Sequence, residues 1–171
     1  MSAAGVVLIG PMGAGKTSVG RRVARRLGER FVDTDVAFVR AHGKIEDVFT
    51  AHGEDHFRAL ERQIVAEHLA DGGVIALGGG AVLHPGTQTD LARHRVVLLT
   101  VAPERIASRI RGSTRPLLQS DDPLARWRAV WEQRRPLYER LADVMFDTSE
   151  GPLSDVVDAV VDWAQHTEET R

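Results

Sequence analysis

The chain has 171 residues, 43% of them hydrophobic and 27% charged, with a formal net charge of -2. This size and balance suit one globular domain with a sizeable core, and the near-neutral charge excludes a general affinity for nucleic acid or membrane surfaces. The absence of cysteine excludes disulfides, thiol catalysis and cysteine-ligated zinc together.

Residues 1–5, Met-Ser-Ala-Ala-Gly, run straight into a first predicted strand at 6–9, the apolar run Val-Val-Leu-Ile. That leaves no room for a signal peptide, and no stretch approaches the length of a membrane span, so a cytoplasmic location is expected. Residues 10–17 then read Gly-Pro-Met-Gly-Ala-Gly-Lys-Thr, the complete phosphate-loop pattern GxxxxGK[ST], and a helix is predicted over 18–27. Strand, glycine-rich loop and helix in that order are the context in which the motif holds nucleotide phosphates.

The glycines Gly13 and Gly15 let backbone N–H groups turn inward toward phosphate oxygens, and the helix N-terminus adds partial positive charge there. Gly13, Ala14, Gly15 and Ser18 therefore join Lys16 and Thr17 as candidate ATP contacts. Lys16 is placed to reach the β- and γ-phosphates, and the Thr17 hydroxyl is a candidate ligand of Mg²⁺. The chain's other basic residues are arginines apart from Lys44, so a lysine in the phosphate-loop position stands out.

A second strand is predicted at 31–33 and leads into Asp33-Thr34-Asp35. At a strand's C-terminal end, alternate side chains share a face, so both carboxylates can reach one site. One would steady the Mg²⁺ shell and the other accept a proton from an attacking hydroxyl. The alternative is that one of them only caps the next helix.

Helices are predicted at 36–41, 45–52 and 54–70. In the last of these Phe57, Leu60, Ile64 and Val65 form an apolar stripe. Arg58 and Glu61 are three residues apart on the same helix. They read either as a solvated ion pair or as an arginine oriented toward a carboxylate-bearing substrate.

A buried strand at 74–77 runs into Gly78-Gly79-Gly80. Three consecutive glycines point to close approach by a ligand or another backbone, with a tight turn as the alternative. A helix is predicted at 85–92, a strand at 96–101 and a helix at 103–109. Residues 111–124 have the polar, glycine- and proline-bearing character of a lid. A helix at 124–142, a strand at 144–147 and a helix at 153–165 complete the chain, and 166–171 read as a polar tail. The alternation of strands and helices predicts a three-layer αβα fold, with a central parallel sheet of about five strands, as one domain over 1–171.

The phosphate loop, Asp33-x-Asp35, Gly53-Glu54 with Phe57-Arg58 and Glu61, Gly78-Gly79-Gly80-Ala81, Arg115-Pro116-Leu117-Leu118 and Arg134-x-Pro136-Leu137-Tyr138 occur in that order. As an ordered set spanning nearly the whole chain they resemble the shikimate kinases. The resemblance implies transfer of the ATP γ-phosphate to the 3-hydroxyl of shikimate, within aromatic amino-acid biosynthesis, by a monomer that requires Mg²⁺. It implies a helical substrate-binding region over 33–61 and a mobile lid over 111–124. Asp33 would lie near Mg²⁺, with Thr17 as a direct ligand. Asp35 would bind shikimate hydroxyls and act as the base. Arg58 and Arg134 would grip the carboxylate, with Gly79 and Gly80 meeting the substrate beside them. Arg115 would bring its guanidinium to the ATP phosphates and serve with Lys16 and Asp35 as the catalytic set.

A planar guanidinium meets a carboxylate through two parallel hydrogen bonds, which agrees with those roles. Three segments depart from the pattern. The stretch 109–115 is a residue short, leaving open whether Arg109 or Arg111 meets adenine. The segment 43–45 is also short, and Glu150-Gly151-Pro152 stands where some relatives carry a basic residue. A gluconate or other small-molecule P-loop kinase and a nucleotide-binding pseudokinase are the rival readings.

Other features are assigned bland roles. His52 and His56 have helical spacing but no evident third metal ligand. Trp127 and Trp131 read as a core or helix-face stripe. Arg21, Arg22, Arg25 and Arg26 read as a solvated face.

Overall fold

The computed structural model describes residues 4–110 and 116–169. Five strands, β1 (Val6–Ile9), β2 (Phe31–Asp33), β3 (Val74–Ala76), β4 (Arg95–Thr100) and β5 (Val144–Asp147), form one sheet in the order β2-β3-β1-β4-β5. Every pairing is parallel. All five strands therefore deliver their C-terminal ends to one edge of the sheet, where ligand crevices of open α/β sheets form.

Strand alternation divides the core between the two faces of the sheet. Val6, Leu8, Val97 and Leu99 pack on one side with α1 (Lys16–Leu27), α6 (Pro103–Ile110) and α8 (Leu153–Glu169). Val7, Ile9, Val96 and Leu98 pack on the other with α4 (Glu54–Asp71), α5 (Pro85–Leu91) and Tyr138 of α7 (Pro123–Leu141). The result is the expected three-layer αβα arrangement. A smaller cluster of Phe38, Val48, Phe57 and Ile64 joins α2 (Thr34–His42), α3 (Ile45–His52) and α4 beside the β2 edge.

Several boundaries differ from the sequence reading for identifiable reasons. β4 begins at Arg95, a residue earlier than expected, because its guanidinium is buried and donates to Ala164 O at 2.7 Å and Ala4 O at 3.2 Å. Helix α2 begins at Thr34 because Asp33 is its N-cap. Helix α7 begins at Pro123, inside the segment read as lid. Asp122 accepts the Ala125 N–H at 3.0 Å, and Pro123 occupies the first turn, where a missing N–H costs nothing. The described part of that segment also contains a short 3-10 turn, Pro116–Leu118.

Candidate active site

The loop after β1 is built for an anion. Gly10, Gly13 and Gly15 have φ of 142, 80 and 95°, which L-residues with side chains rarely adopt. Ala14 is fully buried beneath the loop, and Lys16, Thr17 and the exposed Ser18 form the first turn of α1. Lys16 Nζ donates to the loop's own carbonyls, Gly10 O at 2.6 Å and Pro11 O at 3.1 Å. The ammonium thus sits over the cradle formed by the loop.

The loop is braced by residues that no motif announces. Thr148, just past β5, donates from Oγ1 to Ala14 O at 2.8 Å. Trp127 Nε1 donates to Met12 O at 2.8 Å from a fully buried ring, so the core reading of this tryptophan holds, with one polar contact added. Arg109 donates to Gly13 O at 2.7 Å and to Thr148 O at 3.2 Å. Arg109 therefore lies against the phosphate loop, whereas Arg111 and Arg115 lie outside the described residues.

Asp33 and Asp35 both line one cavity of about 530 Å³. They reach it differently from the strand alternation predicted. Asp33 ends β2, and Asp35 lies in the first turn of α2. The two readings of the pair merge in Asp33. Its Oδ1 caps α2 through the N–H groups of Asp35 and Val36, at 2.9 and 3.2 Å, while its Oδ2 accepts the Thr17 hydroxyl. Thr34, between them, is buried and accepts Gly78 N–H at 3.0 Å, which ties α2 to the glycine segment.

Two of the three glycines, Gly78 and Gly80, make room for side chains, while Gly79 lies in ordinary contact with the backbone of Gly10. A Cβ on Gly78 would lie 2.5 Å from Asp35 Oδ1 and 3.2 Å from Glu61 Oε2. A Cβ on Gly80 would overlap the Arg58 guanidinium, with Cζ and Nη1 at 2.5 Å. Gly79 lies between them, near Gly10 of the phosphate loop, and its carbonyl accepts the Tyr138 hydroxyl.

Arg58 Nη1 donates to Glu61 Oε1 at 2.8 Å, and the Glu61 side chain is only 7% exposed, so this is no solvated surface pair. Burial raises the Glu61 pKa and the Arg58 guanidinium opposes that shift. Arg58 Nε is buried and has no hydrogen-bond partner. Arg134 is also buried, lines the same cavity and lies near Gly79. The cavity wall thus carries Arg58 and Arg134 together with Asp33, Asp35 and Gly79. Gly80 lines it too.

Thr17 and Asp33 present two hard oxygens side by side at the edge of the phosphate loop. Mg²⁺ takes one or two protein oxygens and completes its octahedron with water and substrate phosphates, so this donor set fits it. Among the described residues no group of three or more His, Cys, Asp or Glu could hold a metal ion, and no helix is long and apolar enough to cross a membrane. The rings of His52 and His56 lie 4.6 Å apart between centroids, tilted by 44° to one another. Arg21, Arg22, Arg25 and Arg26 are exposed on α1, as expected of a solvated face.

A family model described as Shikimate kinase matches residues 12–165. The shikimate kinase of Thermobifida fusca is 51% identical over 147 residues, covering 84% of this chain and 85% of that protein. The shikimate kinase of Symbiobacterium thermophilum is 44% identical over 166 residues, covering 94% of this chain and 95% of that protein. A solved shikimate kinase from Acinetobacter baumannii, in complex with shikimate, superposes with a TM-score of 0.91 at 34% identity, covering 96% of this chain and 94% of that one. The phosphate loop, the arginine-bearing cavity beside it and these likenesses agree: the chain belongs to the shikimate kinase family of ATP-dependent phosphotransferases.

Proposed function

We propose that this chain, as a single cytoplasmic kinase domain, transfers the γ-phosphate of ATP to the 3-hydroxyl of shikimate with Mg²⁺ present. The observation that carries the reading is the joining of two differently built halves at Gly79. The phosphate loop lies on one side of it, and a cavity with two buried or half-buried arginines and Asp35 lies on the other.

On the donor side, the loop N–H groups and Lys16 hold the β- and γ-phosphates. Lys16 leaves its present acceptors, Gly10 O and Pro11 O, to do so. Thr17 and Asp33 hold Mg²⁺, which when bound neutralises charge on the phosphate oxygens. Arg115, by its place in Arg115-Pro116-Leu117-Leu118, is assigned to the same phosphates.

On the acceptor side, Arg58 and Arg134 hold the carboxylate through charge-assisted hydrogen bonds. The Arg58 Nε proton, buried without a protein acceptor, supplies one of them. Asp35 accepts the proton of the 3-hydroxyl as that oxygen bonds to the γ-phosphorus and the bridging β–γ oxygen leaves with ADP. The triple glycine keeps Asp35 and Arg58 close to the backbone, which fixes the acceptor's position relative to the donor.

The reading is tested by incubating the protein with ATP·Mg²⁺ and shikimate and locating the ester by phosphorus–proton coupling in NMR. Coupling to the proton on C3 is expected. Phosphorylation at another hydroxyl, or ATP consumption with gluconate but not shikimate, would overturn it.

A further inference from the structure

Three consecutive carbonyls of the phosphate loop are each held by a side chain from the second half of the chain. Met12 O accepts the Trp127 indole N–H at 2.8 Å, Gly13 O accepts from Arg109 at 2.7 Å, and Ala14 O accepts the Thr148 hydroxyl at 2.8 Å. Ala14 is 0% exposed, and among the described residues no other donor reaches its carbonyl. Thr148 is itself buried, at 2% exposure, and Arg109 also donates to its carbonyl at 3.2 Å.

The Thr148 hydroxyl has one proton and two acceptors within reach, Ala14 O and, at 3.0 Å, Thr100 O. Thr100 O already receives the Thr148 backbone N–H at 2.8 Å, so the hydroxyl proton goes to Ala14 O, which would otherwise be a buried carbonyl without a partner. A peptide unit is planar, with its C=O and N–H pointing in opposite directions. Holding Ala14 O against Thr148 therefore turns the Gly15 N–H the other way, toward the open side of the loop. Gly15 does not select that orientation by itself. Its φ is 95°, and half a turn of the Ala14–Gly15 peptide would carry it to a negative φ, which glycine accepts as readily. The hydrogen bond decides between the two.

We propose that Thr148 is a positioning residue for the nucleotide. From behind the loop, its hydroxyl pins the Ala14–Gly15 peptide so that the Gly15 N–H faces the phosphates. This inference rests on the donor half of the reading above, in which the loop N–H groups hold the ATP phosphates. A role confined to packing would affect stability and leave phosphate binding intact.

The test uses the full chain with Thr148→Val, which keeps the shape and removes the proton, and Thr148→Ser, which keeps the proton and removes the methyl. Thr148→Ala takes the place of the valine variant should that one not fold. ADP·Mg²⁺ and shikimate are titrated separately by calorimetry, and adenosine, which carries no phosphate, is measured as an inhibitor. Thr148→Val is expected to weaken ADP·Mg²⁺ by about tenfold, with shikimate and adenosine within about twofold of wild type. Thr148→Ser is expected to keep ADP·Mg²⁺ affinity within about threefold of wild type. Affinity is read per folded molecule, so a lower melting temperature does not affect it. Wild-type ADP·Mg²⁺ affinity in Thr148→Val overturns the inference and leaves the kinase reading standing. Equal weakening in the valine and serine variants, or an equal loss for adenosine or shikimate, also overturns it, since the proton would then not be acting on the phosphates. A wild type that binds no ADP·Mg²⁺ overturns the donor reading, and this inference with it.

Discussion

The Thr17 hydroxyl donates to one oxygen of Asp33, and the other oxygen of the same carboxylate caps the helix that carries Asp35. A single side chain thus links the phosphate loop to the acceptor helix. The two duties are separable. Asp33→Asn keeps an oxygen for the cap and loses the charge near the metal. It is expected to raise the Mg²⁺ concentration for half-maximal activity by about tenfold with the melting temperature nearly unchanged. Asp33→Ala also removes the cap, at about 1 kcal/mol, which for a chain of this size lowers the melting temperature by about 2–4 °C. Equal melting temperatures for the two variants would show that the cap contributes little.

Asp35→Asn preserves shape and hydrogen bonding but cannot take a proton. A fall in kcat of about 10²–10⁴ is expected in a coupled assay, with shikimate affinity changed by much less. Near-normal turnover would remove Asp35 from the role of base.

Gly80→Ala tests the close approach of Arg58. The backbone at Gly80 has φ -99 and ψ -1°, which alanine accepts without strain. The new methyl would displace only the end of a flexible arginine side chain. Shikimate affinity is expected to fall by about tenfold or more while the melting temperature and ATP affinity stay near wild type. A large loss of stability with normal acceptor affinity would contradict this.

His94 gives the fold a pH dependence away from the site. Its Nδ1 accepts Gly5 N–H at 3.0 Å, which requires the neutral ring on that nitrogen, and burial lowers its pKa against the pull of Asp90. The folded value lies below the unfolded value, so the unfolded chain binds the proton first as pH falls. Stability contributed above about pH 6.5 is therefore lost as pH drops through the folded value. The melting temperature of the wild type is expected to fall between pH 7 and pH 5 more steeply than that of His94→Gln. Parallel curves would exclude the histidine as the cause.

Much of this was legible in the sequence because it depends on short-range patterns. The apolar runs placed all five strands, and the phosphate-loop motif marked the turn from β1 into α1. The rest required tertiary contacts. Arg95 looked like a residue before a strand, but two backbone carbonyls from opposite ends of the chain accept from its guanidinium, and the Glu168 carboxylate lies 3.7 Å from it. The triple glycine was recognised as a site of close approach. Which group approaches depends on α2 and α4 converging on β3, and it proves to be the Asp35 and Arg58 side chains. Thr148 carried no signal at all, since its contact with Ala14 exists only because β4 and β5 pair in this register.

The central claim is that donor and acceptor are held by separate groups meeting at Gly79. Titrating Arg58→Ala separately with shikimate and with a non-hydrolysable ATP analogue in Mg²⁺ tests it most directly. A loss of shikimate affinity of about 100-fold or more, with nucleotide affinity within a factor of about two of wild type, is predicted. Equal loss of both affinities would contradict the division of the site.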